Sequence, residues 1–240
     1  MQDYDYAAVG AGYYDDILHH DVGVRCFWHK HKFAQIASLI DSDENSTILD
    51  VGCAAGSFIG TLKKKYKLAV GVDVAPAQIE YANQQYAAMN RKFISADVRS
   101  LQYEEASFDF IVMSEVVEHI SFDEACDVLK RLFFLLKPLG KLILTTPNYR
   151  SLWPVLEWVV NRVSPVTYEH QHINKLYSSK CVLLLEKAGF QVDHLSSFFV
   201  LGPFFSVFSK PIARLICRLE TALLPKCGSI LLVAAFKRKQ

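Results

Sequence analysis

Charge imbalance is the first thing this sequence lacks. Among 240 residues, 26 Lys and Arg stand against 25 Asp and Glu, a net charge of +1. With so little excess cation, the phosphate-driven part of nucleic-acid binding is missing, and no nucleic-acid partner is expected. Paired cysteines are also absent. The six (Cys26, Cys53, Cys126, Cys181, Cys217, Cys227) form no CxxC pair and no zinc-ligand spacing. Several lie in apolar runs, where a reduced thiol behaves as a small hydrophobe, so a reducing, cytoplasmic compartment is expected. No apolar run is long enough for a membrane span: the longest uncharged stretch, 195–209, is too short and carries Gly202 and Pro203. The opening residues, MQDYDYAAVGAGYYDD, are acidic and aromatic rather than basic and apolar, so no secretory signal is expected. No repeat and no GxGxxG occurs.

What is present is a large apolar share, 51% of the chain, enough for a well-buried core. From residue 46 on, short apolar runs alternate with amphipathic ones. TILDV (47–51), LAVGVDV (68–74), KFISADV (92–98), FDFIVMS (108–114), GKLILTTP (140–147) and SILLVAAFK (229–237) read as strands. Helices are expected over 56–66, 76–90, 121–138 and 178–190. The third of these carries a capping box, Ser121 with Glu124, and Pro138 as its stop. This alternation implies an α/β doubly wound, mainly parallel sheet. Two segments break the rhythm: an aromatic N-terminal part, 1–45, and an apolar insertion, 151–168. Both suit a helical cap or lid over the carboxyl edge of the sheet formed by 46–240, where ligands bind in such folds.

The loop after the first strand, ILDVGCAAGSF (48–58), holds Gly52 and Gly56 around small residues. Backbone N–H groups can approach a ligand closely there, ahead of a helix N-terminus. A pyrophosphate fits poorly, because the dinucleotide spacing is missing and Asp50 would repel it. A carboxylate there attracts a sulfonium or ammonium instead. Asp73, ending the second strand, is placed to accept from ribose hydroxyls, and Asp97, after the third, from an adenine amino group. Together these describe S-adenosylmethionine (SAM).

With these motifs in order, the chain resembles the class I SAM-dependent methyltransferases (the type 11/12 group), over roughly residues 46–146. ILDVGCAAGSF is similar to their first motif, VGVDVAP to the ribose motif, ISADV to the adenine motif, FDFIVMSEVVEHI to the fourth-strand motif and LKPLGKLILTTPN to the fifth-strand motif. One departure is Ala54, where the family's loop has its middle glycine. The resemblance implies a seven-stranded Rossmann-like methyltransferase fold with SAM as cofactor. It implies Asp50, Gly52, Cys53 and Gly56 around the methionine part, Asp73 and Val74 at the ribose, Asp97 and Val98 at the adenine, and Ser114 at the amino-acid end. Lys32 resembles, by position, an arginine that contacts the SAM carboxylate in ubiquinone-pathway O-methyltransferases; an ordinary solvated lysine is the other reading. Asp109 is expected to brace the start of strand four.

SEVVEHI places Glu115, Glu118 and His119 on one face if the segment is helical. The stretch resembles that of the ubiquinone-pathway and small-RNA 3′-end methyltransferases, where such a motif joins a distant histidine on a metal. His172, or its neighbour His170, would supply that histidine, and Mg2+ or another divalent metal the ion. His119 and His172 are equally candidates for acid–base work on an acceptor hydroxyl, and a bracing role without metal stays open. His19, His20, His29 and His31 are expected in surface or lid roles. The apolar insertion and the phenylalanines of 198–208 suit a small lipophilic or aromatic acceptor. Helix-like spacing over 210–225, with Arg214 and Arg218 opposite the apolar side, fits packing on the sheet or peripheral membrane contact; packing is preferred. O-methylation is the expected activity. Alternatives are a catalytically silent SAM-binding scaffold and, against the loop chemistry, an NAD-dependent oxidoreductase.

Overall fold

A computed structural model describes residues 10–20, 22–163 and 171–237; His170 lies outside them. Two helices come first, α1 (Tyr13–His20) and α2 (Val24–Ser38). Then follow β1 (Thr47–Val51), α3 (Ser57–Thr61), β2 (Leu68–Asp73), α4 (Pro76–Tyr86), β3 (Arg91–Ser95), β4 (Phe108–Ser114), α5 (Phe122–Leu135), β5 (Leu136–Pro147), α6 (Trp153–Val163), α7 (Ser178–Lys187), β6 (Gln191–Phe198), α8 (Lys210–Leu223) and β7 (Ile230–Phe236). Short 3₁₀ turns cover Val98–Ser100, Val117–His119 and Gly202–Val207.

The seven strands form one sheet in the order β3-β2-β1-β4-β5-β7-β6. Only β7 runs against its neighbours, pairing antiparallel with both β5 and β6. The mainly parallel, doubly wound expectation therefore holds. Parallel register sets the carboxyl ends of β1, β2, β3 and β4 side by side: Asp50 pairs with Gly71 and Val112, Asp73 with Ser95, and Ser114 with Thr145. Strand alternation sends Leu49, Val70, Ile111 and Leu142 to one face, under α5 and α7. Ile48, Ala69, Val112 and Ile143 go to the other face, under α2 to α4 and α8. In α5, Ala125, Val128, Leu129, Leu132 and Leu135 form the buried stripe, each Leu or Val contributing about 1.5–3 kcal/mol. Ser121 and Glu124 close both hydrogen bonds of the capping box.

Several expectations are corrected. The helix after the glycine loop runs only five residues; Leu62, its C-cap, has extended backbone and Lys63–Lys65 lie beyond it. Helix α4 stops at Tyr86, not residue 90. β3 ends at Ser95, and Asp97 caps the turn that follows. Pro138 does not end α5: β5 begins at Leu136 and runs through it, beside a register shift in β4. A strand that the apolar pattern missed, β6, sits at the sheet edge; Asp193, His194, Ser196 and Ser197 interrupt its apolar run. Among the described residues, no helix is long and apolar enough to cross a membrane.

The N-terminal helices are fastened over the carboxyl edge by a buried acid. Asp15 of α1 accepts hydrogen bonds from Ser57 at the start of α3 and from Tyr81 (3.0 Å) and Tyr86 (2.6 Å) of α4. All six cysteines are free.

Candidate active site

A cavity of about 750 Å³ opens at the carboxyl edge of the sheet. Its floor is the β1–α3 loop. Gly52 and Gly56 both adopt positive φ, 71° and 75°. A side chain at Gly52 would strike Val116, whose Cγ2 occupies the space its Cβ would need. Only glycine keeps this backbone bare and close to whatever lies above it. Ala54 tolerates φ 44° in the same loop.

Asp50, Asp73 and Asp97 all line the cavity. Asp50 is 3% exposed and its Oδ2 is buried with no hydrogen-bond partner. Burial pushes its carboxyl up to about 7, with Asp73 adding to the rise and Lys32 opposing it. Asp73 accepts from the backbone N–H of Ala54 and of Ala75, both at 2.9 Å, so it also fixes the loop. Asp97 accepts from the Arg99 N–H and is ion-paired with the Arg99 side chain, which holds its carboxyl below the usual range. Val98 is buried beside it; Val74 is 42% exposed at the cavity rim. Cys53 is buried, and burial followed by the two carboxylates pushes its thiol well above the ordinary value. Ser114 bonds Thr145 through their hydroxyls at 2.9 Å.

Lys32 is no solvated lysine. It is 5% exposed, reaches into the cavity wall from α2, and donates to Glu115 Oε2 at 2.9 Å. Glu115 is paired with Lys32 and is not one of the three groups whose ligand atoms cluster. The 115–119 segment is not an α-helix: Glu115 takes φ 56° and only Val117–His119 turn as 3₁₀. Glu118, His119 and His172 do converge, each offering a ligand atom within 4.8 Å of the others'. Glu118 is 1% exposed; Oε2 accepts from Thr146 at 3.1 Å and Oε1 has no partner. Burial, then Glu115, raises its carboxyl well above the ordinary value. His119 Nδ1 bonds the Gln171 carbonyl at 3.1 Å, and its packed surroundings, then His172, lower its pKa to about 4.

The second histidine is held by residues that sequence reasoning missed. His172 Nδ1 lies 2.6 Å from Glu157 Oε1 and 2.8 Å from the Tyr149 hydroxyl, which itself donates to Glu157 at 2.9 Å. Burial pushes the Glu157 carboxyl up, but bonds from His172 and Tyr149 outweigh it and hold it below the ordinary value. With Nδ1 turned to Glu157 and Tyr149, Nε2 is the ring nitrogen on the opposite side. Glu157 comes from α6, inside the apolar insertion, where a lone acid among Trp and Val was the available signal. Asp109 sits at the far end of β4, accepting from Thr47 and Lys137, as expected of a brace.

A methyltransferase-domain family profile matches residues 23–195 of this chain. The chain belongs to that methyltransferase family. The chain is 27% identical over 113 residues to a phosphoethanolamine N-methyltransferase of Plasmodium falciparum, covering 46% of this chain and 42% of the relative. It is 30% identical over 103 residues to a ubiquinone biosynthesis O-methyltransferase of Coxiella burnetii, covering 42% and 43%. It thus spans about half the length of the curated relatives it matches. Among solved structures, a Haloferax volcanii methyltransferase complexed with the Trm112 activator superposes over 100% of both chains with a TM-score of 0.71 at 15% identity. A SAM-dependent methyltransferase of Thermotoga maritima gives 0.67 over 94% of each chain at 16% identity. Likeness at this identity speaks for the fold of this chain alone.

Proposed function

We propose that this methyltransferase moves the methyl group of SAM to a hydroxyl oxygen of a small lipophilic or aromatic acceptor. The observation that carries this reading is a cavity with two chemically different ends. One end has a bare glycine floor and a buried carboxylate with an unpartnered oxygen. The other gathers Glu118, His119 and His172 beneath apolar side chains.

The first end fits SAM. Asp50 lacks a partner that a sulfonium or ammonium would supply, and nothing but glycine fits at residue 52. In this reading Asp50, Gly52, Cys53 and Gly56 hold the methionine part, with Ser114 and Lys32 near its amino-acid end. Asp73 and Val74 hold the ribose, Asp97 and Val98 the adenine. When bound, SAM supplies an electrophilic methyl for in-line displacement. The chain's part is to align the acceptor oxygen and exclude water, a positioning effect of about 7–11 kcal/mol when the geometry is good.

The second end manages the acceptor's proton. His119 is neutral at pH 7, and His172 is oriented by Glu157 on its Nδ1 side, with Nε2 on the other side of the ring. Either takes a proton from a hydroxyl placed between them. The same donor set, one carboxylate and two imidazoles, suits a divalent cation, and the unpartnered Glu118 Oε1 is the observation favouring one. Glu118, His119 and His172 would hold it, with Glu157 and the Gln171 carbonyl steadying the imidazoles from behind. Such an ion would lower the pKa of the acceptor hydroxyl. Glu115, tied to Lys32, stands outside this set.

Transfer of labelled methyl from SAM to phenols, catechols and long-chain alcohols, with Mg2+ or with chelator, tests the reading. Labelled ether product is expected, together with loss of turnover in His119→Ala at unchanged SAM affinity. Product on amines alone would overturn it, and SAM binding without any turnover would favour a scaffold role.

A further inference from the structure

If the acceptor is lipophilic, the surface around the cavity mouth bears on how it arrives. α8 is attached to the body by a narrow strip, with only Ala213 and Cys217 buried. The packed helix preferred from sequence is therefore half right, because most of its other apolar residues face outward. Ile212, Leu215, Leu219 and Leu223 are 50–75% exposed, and their spacing puts them in one row. The preceding turn adds Phe204, Phe205 and Val207, and Phe208 after it is 87% exposed. A monomer in water rarely leaves a contiguous apolar surface of this kind.

The charge on this face is one-sided. Glu220, the only acidic residue of α8, accepts from the backbone N–H groups of Val200, Leu201 and Gly202, tying the Gly202–Val207 turn to the helix. Arg214 and Arg218 remain as exposed charges on the helix, with Lys210 at its start and Lys226 beyond its end. Arg214 and Arg218 precede Leu215 and Leu219 by one position and so flank the row on one side. An apolar row with a cationic edge complements a bilayer surface carrying anionic headgroups. Phe204 joins this face to the active site, since it both lines the cavity and is 43% exposed; Val159 of α6 does the same at 40%.

We propose that α8 and the Gly202–Val207 turn form a membrane-docking face for anionic bilayers, so that a lipophilic acceptor enters the cavity from the lipid. This rests on the lipophilic-acceptor reading, but docking can be measured without turnover. Flotation of the full chain is compared on phosphatidylcholine vesicles with and without about one third phosphatidylglycerol. Flotation with the anionic vesicles, reduced by salt, is expected. Leu215→Glu/Leu219→Glu should lower the bound fraction about tenfold or more while melting temperature and SAM affinity stay at wild type. Arg214→Gln/Arg218→Gln should weaken binding to anionic vesicles specifically. The proposal is overturned if the wild type ignores both vesicles, or if the leucine variant floats equally well. It is also overturned if the wild type forms a dimer that the leucine variant dissolves and neither floats, because a second copy then covers the face. Flotation that persists when no lipophilic hydroxyl is methylated supports docking and removes only the acceptor reading.

Discussion

Binding a sulfonium cofactor beside Asp50 should expel a proton. In the ligand-free cavity the Asp50 carboxyl sits at about 7 because it is buried, against an ordinary value of 3.8. That displacement corresponds to roughly 4 kcal/mol of cost for ionising it there. Because the folded-state value is raised, the folded protein holds the proton more tightly than the unfolded chain. The cost is absent below pH 3.8 and grows as pH rises towards 7, so ligand-free stability falls across that window. An adjacent cation restores the ordinary value and releases the proton. Uptake of SAM should therefore release most of a proton at pH 6 and progressively less as pH rises through about 7. Isothermal titration in buffers of different ionisation enthalpy reads this directly. In Asp50→Asn the release should vanish and SAM affinity should fall at least about tenfold, while the ligand-free protein becomes more stable at pH 7.5. Binding enthalpies that coincide in all buffers at pH 6 would refute this reasoning.

Three further outcomes follow from contacts already described. Lys32→Met leaves Glu115 without its partner and should cost about 2–3 kcal/mol in denaturant unfolding, with most of it recovered in Lys32→Met/Glu115→Gln; an unshifted midpoint would show the pair to be idle. Gly52→Ala forces an alanine to φ 71° and into Val116, costing about 1–2 kcal/mol for the backbone alone, and should weaken SAM binding; adding Val116→Ala should relieve the clash but not the backbone part. Glu157→Gln should lower turnover about 10–100-fold at unchanged SAM affinity, by loosening His172, and wild-type turnover in that variant would remove Glu157 from the account.

Much of this arrangement was legible because local chemistry and global fold agree. Most of the strand runs, the glycine loop, the capping box of α5 and the position of Asp109 depend on short-range pattern, and the structure has them close to where the residues indicate, apart from the early end of β3 and the early start of β5. Failures occur where a distant contact decides. Glu115 to His119 reads as one helical face, but Glu115 is turned to φ 56° and paired with Lys32, 83 residues earlier. Glu157 and Tyr149 carry no motif; they matter only because α6 folds back onto His172. β6 escaped notice because an edge strand beside β7 tolerates Asp193, His194 and paired serines, which dilute its apolar run. For α8 the periodicity was plain, but which side faces the sheet was not, since small residues, Ala213 and Cys217, make the contact and the leucines do not.

The central claim is that one cavity holds SAM over the Gly52 loop and presents its methyl to the Glu118–His119–His172 end. A crystal structure of the protein with S-adenosylhomocysteine addresses this most directly. The account predicts ribose hydroxyls on Asp73, the sulfur above Gly52 near Asp50, and open space between that sulfur and His119. A nucleoside seated away from Asp73, or a sulfur turned from the two histidines, would contradict it.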